Sequence, residues 1–330
     1  MNKSSFHKIF FNVLKVLLFI LMSILIYWQI KTRSADFNLI DAFKKGFAWD
    51  QFPFLLFAVL FMPVNIFLES LKWKVFVDQF QERFSITSSI KSMLCGSFFG
   101  FISPNRVGEF LGRLNRIEKE NRSRALTAGY WGGIAQFIIT FSIGIYMGGR
   151  AIMHHVNMNS LDKFTIPLAI VIIVFASTIY FNLKKVLARI SSFPYINKLT
   201  EKYPIEYEVP KSKLLLILLI TLFRYLVYVS QYVYLLYFFG VDLSYEVLFS
   251  SVCTMLVLHT LVPSVPFVDL GVKGNVLVLL LKNQTFNELG ILLAVFSIWI
   301  INIILPAIVG YYYFVLAKRS AQHSEGLLSA

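Results

Sequence analysis

Charged side chains follow a Gly- and Pro-containing interruption in an apolar stretch of the chain, at residues 86–113. They are spaced three and four residues apart: Arg106, Glu109, Arg113 and Arg116. On a helix this spacing places side chains on or near one face. A guanidinium can bind a phosphate through two parallel hydrogen bonds, and Glu109 four residues before Arg113 is the favourable order for an ion pair. The segment therefore predicts an anion-binding site, with a purely structural ion-pair network as the alternative.

The residues before these charges suit the start of a helix. Gly100, Pro104 and Gly108 are predicted to break the apolar stretch. Ser103 is a candidate N-cap, and Pro104 suits the first helical position, where its missing N–H is no loss. The N-terminus of such a helix would direct free N–H groups and the positive end of its dipole at the break, which favours an anion there.

A second interrupted stretch, at residues 247–281, also carries an acid and a base. Its predicted break residues are Pro263, Pro266, Gly271 and Gly274. We expect Lys273 to contact an anion, and Asp269 to be a counter-ion or a proton-binding group. Unsatisfied backbone costs several kcal/mol in hydrocarbon, so broken helices survive only beside protein or water. Paired broken segments therefore predict a shared binding site.

Two further ionisable residues lie in apolar runs. Arg224 shares a predicted helix face with Tyr228 and Gln231, and an arginine at membrane depth is functional by default. We expect Arg224 to meet a lipid phosphate, with a structural pairing to Glu69 or Asp269 as the alternative. Glu69 is predicted to be a counter-ion or a proton-coupling carboxylate, with an ordinary interfacial charge as the alternative.

Other polar residues do not predict catalysis. If the protein were an enzyme, its catalytic acids would be Asp36, Asp41 and Asp50, but this segment has no tight acidic pair. His259 is best explained as a polar core histidine, and His154 and His155 have no third metal ligand at suitable spacing. We therefore expect no catalytic residue, metal or cofactor.

The composition predicts an all-α membrane protein. The chain is 57% hydrophobic and 15% charged, with a mean hydropathy of +0.67 over 330 residues. Six apolar runs are near the roughly 20 residues that cross a bilayer as helix. They are Ile9–Ile30, Phe52–Leu71, Ala125–Gly148, Ile166–Phe181, Leu214–Phe239 and Leu289–Leu316. The predicted architecture is a bundle of these spans with two re-entrant hairpins, forming one integral domain over residues 1–330.

Basic residues set the orientation, because cytoplasmic loops carry the excess. With both breaks re-entrant, 22 of the 31 Lys and Arg lie inside, eight lie outside and Arg224 lies within a span. Both termini are then cytoplasmic, and 182–213 is a cytoplasmic loop. The net charge is +13, and the basic residues are distributed over every inner loop. This distribution favours an anionic lipid surface rather than nucleic acid as the partner. The cell membrane is the expected location.

The same topology turns the two hairpins in opposite directions. The first hairpin lies in a predicted repeat unit at about 52–148, and the second in a unit at about 214–316. Two units of opposite orientation form an inverted repeat, an arrangement common in transporters.

At these motifs the chain resembles a known family. The segment PNRVGEFLGR, residues 104–113, resembles the first signature of the lysylphosphatidylglycerol synthase transmembrane region, also called the flippase-like domain family. The segment from Pro263 to Gly274 resembles the second signature, with Phe267 and Val268 replacing a Gly pair and Asp269 preceding Gly271. The resemblance extends from about Ile9 to Leu316. Some members also carry a cytoplasmic aminoacyl-transferase domain, which is not expected here.

The sequence favours binding of an anionic phospholipid or a polyprenyl-phosphate-linked lipid, and its movement between leaflets. Its contacts would be Arg106, Glu109, Arg113, Arg224 and Lys273. Two alternatives remain open: a membrane glycosyl- or phospho-transferase that uses a lipid carrier, and an accessory scaffold for a partner enzyme of the cell envelope.

Overall fold

A computed structural model describes residues 51–103, 106–155, 162–190, 209–261 and 266–315 of the chain. Within these ranges the regular structure is helical, and no strand occurs. The helices in chain order are α1 (Phe52–Val77), α2 (Ile86–Ile102), α3 (Gly108–Arg113), α4 (Arg122–His155), α5 (Asp162–Phe181), α6 (Leu183–Ile190), α7 (Lys211–Phe238), α8 (Tyr245–Thr260), α9 (Pro266–Leu281) and α10 (Glu288–Trp299). The last of these continues through a π-helical segment, Ile300–Ile304, to Val315.

Four helices of the described ranges are long and apolar enough to cross a membrane. They are Phe52–Val77, Lys119–Gly148, Lys211–Phe238 and Glu288–Val315. The predicted run Ile9–Ile30 lies outside the described residues, and Ile166–Phe181 forms most of α5, whose apolar part Ile170–Phe181 is shorter. Large apolar side chains are exposed along these helices, as a lipid environment allows. The described residues thus provide four candidate spans, against six predicted.

Helices α1 and α7 pack together along their length. Phe54 contacts Tyr237, Gln231 donates a hydrogen bond to the carbonyl of Ala58 at 2.8 Å, and further along Arg224 pairs with Glu69. Residue numbers rise along α1 as those of its partners fall along α7, so the two helices are antiparallel.

The first predicted hairpin is a pair of packed helices, α2 and α3. A Cβ atom added to Gly108 would lie 2.3 Å from the carbonyl oxygen of Phe99, and one on Gly112 would lie 2.6 Å from that of Cys95. Only glycine allows this approach of two backbones. Gly100 lies within α2, facing Glu109.

The helix after the break starts later than the sequence predicts. Pro104 lies outside the described residues, and the Ser103 hydroxyl accepts a hydrogen bond from the N–H of Gly108 at 2.8 Å. Arg106 has φ of +55°, which a right-handed helix excludes, so α3 cannot include it. Arg106 therefore approaches Glu109 from a turn, and the six-residue α3 is too short for the expected dipole argument.

The second hairpin pairs α8 with α9. Pro266 occupies the first position of α9, where it costs no hydrogen bond, and Pro263 lies outside the described residues. Gly271 and Gly274 are inside α9. The sequence predicted them as breaks, but neither interrupts the helix.

Each hairpin also packs on a distant span through a glycine. A Cβ on Gly310 of α10 would lie 1.9 Å from the carbonyl oxygen of Leu94 in α2, and one on Gly144 of α4 would lie 2.8 Å from that of Cys253 in α8. We call α1–α4 the first unit and α7–α10 the second unit. The first helix of each hairpin thus lies against the last helix of the other unit.

Candidate functional site

Glu69 is the centre of a buried ion cluster between α1, α3 and α7. Its carboxylate contacts Lys72 at 2.7 Å, Arg113 at 3.1 Å and Arg224 at 3.3 Å. The Lys72 and Glu69 side chains are 5% and 13% exposed. A buried carboxylate in this position compensates the charge of the cations around it. Glu69 is therefore a shared counter-ion, and Arg224 pairs with Glu69, the alternative considered from the sequence.

The hairpin residues extend this cluster. Glu109 contacts both Arg113 and Arg106, the latter at 3.0 Å. Burial alone would raise the pKa of Glu109, but Arg106 and Arg113 outweigh burial and lower this pKa well below its ordinary value. The Arg113 guanidinium also lies over the ring of Trp73 at 5.7 Å. Glu109 is thus charged at neutral pH and fixes both arginines at the mouth of the hairpin.

Two cluster residues escaped the sequence analysis. Lys72 was not singled out from the sequence, although Glu69 three residues earlier was an available signal. Gln136 of α4 accepts a hydrogen bond from Arg224 at 2.9 Å, and no sequence pattern pointed to it. This contact joins α7 to α4 at the level of the cluster.

A second, smaller cluster lies on the second hairpin. Lys273 contacts Asp269 at 3.1 Å, and Asp269 also contacts His259, which the sequence had assigned only to the core. Asp269 and Lys273 border a cavity of about 10 Å³ with Tyr228 and Tyr232, enough for one water molecule. Polar groups of α7, α8 and α9 therefore converge here.

The two clusters are near each other. Arg106 of the first hairpin is close enough to Lys273 of the second for their positive charges to repel. In addition, Phe101 near the end of α2 contacts Trp299 of α10, which also borders the small cavity. The structure thus brings together residues 106, 109, 113, 224 and 69 directly, with 269 and 273 alongside them. Within the described residues, no three potential metal ligands come together.

A third polar contact crosses the bundle without ionised groups. The side-chain NH₂ of Asn302 donates a hydrogen bond to the side-chain oxygen of Gln231 at 3.1 Å. The side-chain oxygen of Asn302 accepts a hydrogen bond from Asn65, also at 3.1 Å. Asn302 lies in the π-helical segment, four residues before Pro306. Proline has no N–H, so the backbone carbonyl of Asn302 cannot accept the usual helical hydrogen bond from residue 306. The altered helix turn therefore directs Asn302 at α1 and α7.

Replacing Asn302 with Leu should lower the free energy of unfolding by about 1 to 2 kcal/mol, because Asn65 and Gln231 lose their partner. Thermal unfolding in detergent, followed by tryptophan fluorescence, measures this loss. Asn275→Leu is the control, since Asn275 is exposed and donates to Gly271 of its own helix. Equal effects of the two substitutions would contradict the prediction.

Apolar helices long enough to span a bilayer, with ionised side chains gathered among them, define a multi-pass membrane protein with a polar interior site. The family model of the lysylphosphatidylglycerol synthase transmembrane region matches residues 12–310. The chain belongs to this family, as the two motifs predicted. A comparison with curated proteins finds no match.

Proposed function

We propose that the protein binds an anionic lipid or lipid-linked phosphate and moves it between leaflets. The observation that carries this proposal is the cluster of Arg106, Arg113 and Arg224 beside Lys273 within a bundle of apolar helices. Moving a phosphate headgroup through hydrocarbon is prohibitive without polar partners. The fixed cations of this cluster would provide those partners.

The contacts of the two units support an inverted repeat. Asp269 and Lys273 follow Glu109 and Arg113 by the same 160 positions, and each pair lies four residues apart in the second helix of its hairpin. In the first unit the basic residue meets Glu69 of α1, and in the second it lies beside Tyr228 of α7. The two hairpins therefore share the same arrangement of an acid, a base four residues later and a neighbouring helix.

Contacts between the units correspond as well. Asn65 of α1 reaches Asn302 in the last helix of the second unit, and Arg224 of α7 reaches Gln136 in the last helix of the first. The equivalent helices α1 and α7 are antiparallel, as units of opposite orientation require. We infer that one hairpin opens to each side of the membrane.

This orientation, with basic loops inside, gives a protein of the cell membrane with both termini in the cytoplasm. Its proposed role is lipid movement without chemistry. A partner enzyme would perform any modification of the lipid.

Lipid movement can be measured directly in proteoliposomes that contain fluorescent phosphatidic acid, and in others that contain fluorescent phosphatidylglycerol, by adding a membrane-impermeant quencher. Wild type should move the lipid, and Arg113→Ala should slow it at least tenfold, because Glu69 and Glu109 lose their shared cation. Arg122→Ala is the matched control, since Arg122 is exposed at the start of α4 and should leave the rate unchanged. Equal rates for empty liposomes and wild type would contradict the proposal, provided that the protein elutes as a folded species.

A further inference from the structure

The ionic groups of the two clusters do not balance in charge. Among the described residues, the two clusters contain five cations and three carboxylates: Lys72, Arg106, Arg113, Arg224 and Lys273, with Glu69, Glu109 and Asp269. Counted over these lysine, arginine, aspartate and glutamate side chains, the surplus is two positive charges. We call these eight residues the ionic core.

Each carboxylate of the ionic core is already shared. Glu69 contacts three cations, Glu109 contacts two, and Asp269 contacts Lys273 and His259. Burying an uncompensated charge is expensive, and ionised groups inside membrane proteins are ordinarily paired. A purely structural network would be close to neutral, so the surplus requires an explanation.

The surplus lies on groups that a ligand can reach. The side chains of Arg106 and Arg224 are 43% and 29% exposed, whereas those of Lys72 and Arg113 are 5% and 11% exposed. The deeply buried cations thus neutralise the carboxylates, and the two more accessible arginines remain for an incoming anion. Guanidinium groups hold phosphate oxygens in pairs.

We propose that the site prefers a headgroup with two negative charges, such as a phosphomonoester or a diphosphate, to a singly charged phosphodiester. This inference rests on the proposed function. A phosphomonoester carries roughly −1.5 to −2 at pH 7 and presents three strong acceptor oxygens. It would neutralise the ionic core, whereas a phosphodiester would leave one charge uncompensated. The substrate class is therefore a lipid that ends in a free phosphate or is joined through a diphosphate.

Binding of two lipids with identical acyl chains tests this preference. The purified full-length protein in detergent is titrated with short-chain phosphatidic acid, a phosphomonoester, and with short-chain phosphatidylglycerol, a phosphodiester. We expect phosphatidic acid to bind at least tenfold more tightly. Equal affinities would overturn the proposal and leave the proposed function intact, whereas no binding of either lipid would overturn both.

Charge variants provide a second readout. Arg106→Gln removes one accessible cation and should reduce the preference for phosphatidic acid to threefold or less. Lys74→Gln, on the surface of α1 and paired with Asp78, should leave the preference unchanged. An undiminished preference in Arg106→Gln would overturn the assignment of the surplus to this residue. The comparison of lipids on wild type does not depend on whether a variant folds.

A free anion has the same chemistry as the lipid headgroup, so inorganic phosphate is titrated in parallel. We expect it to bind at least a hundredfold more weakly than phosphatidic acid. Phosphate binding as tight as that of the lipid would assign the site to a soluble dianion and contradict the lipid source.

Discussion

Glu69→Gln is expected to lower the free energy of unfolding by about 3 to 5 kcal/mol and to abolish lipid movement. The substitution keeps the shape of the side chain but leaves Lys72, Arg113 and Arg224 without the carboxylate that they share. Their mutual repulsion then acts among apolar helices, where water screens it poorly. Thermal unfolding in detergent and the proteoliposome assay measure the two effects.

Asp78→Asn is the matched control for this substitution. Asp78 follows α1 and pairs with Lys74 at 2.5 Å, but both side chains are partly exposed to the surroundings. Exposed pairs contribute little, so a change below about 0.5 kcal/mol is expected. Comparable losses of unfolding free energy in the two variants would show that burial does not determine how much an ion pair contributes to stability.

The second large effect is expected from Gly310→Ala. The added Cβ would lie 1.9 Å from the Leu94 carbonyl oxygen, and because this is backbone, no side-chain rotation relieves the clash. Helices α10 and α2 must then separate, at a cost of about 3 kcal/mol, the upper end of what overpacking typically costs. Unfolding in detergent is the measurement.

Gly133→Ala controls for the loss of a glycine from a helix. No atom lies within 4 Å of a Cβ at Gly133, so the substitution should be neutral or stabilise the protein by up to about 1 kcal/mol. If Gly310→Ala were as stable as Gly133→Ala, the close packing of α2 on α10 would be wrong.

The sequence predicted the parts of the site that depend on local spacing. The pairs Glu109–Arg113 and Asp269–Lys273 are four residues apart, and helix geometry alone brings them together. Composition likewise predicted helices and a membrane, because 57% hydrophobic residues need an apolar environment. The family followed from short motifs that lie next to these pairs.

Contacts between distant segments could not be predicted in the same way. Glu69 and Arg113 are 44 residues apart and Arg224 and Gln136 are 88 apart, and periodicity says nothing about which helices meet. The backbone of Arg106 was also unpredictable, since left-handed φ is disfavoured for arginine and is imposed here by its surroundings. The expected helix from Pro104 therefore began at Gly108 instead.

The glycine contacts at positions 144 and 310 have a mechanical consequence. The first helix of each hairpin packs on the last helix of the other unit through these glycines. A tilt of one unit would therefore move the hairpin of the other unit with it. In the lipid movement that we propose, opening of the bundle on one side of the membrane would then be coupled to closing on the other.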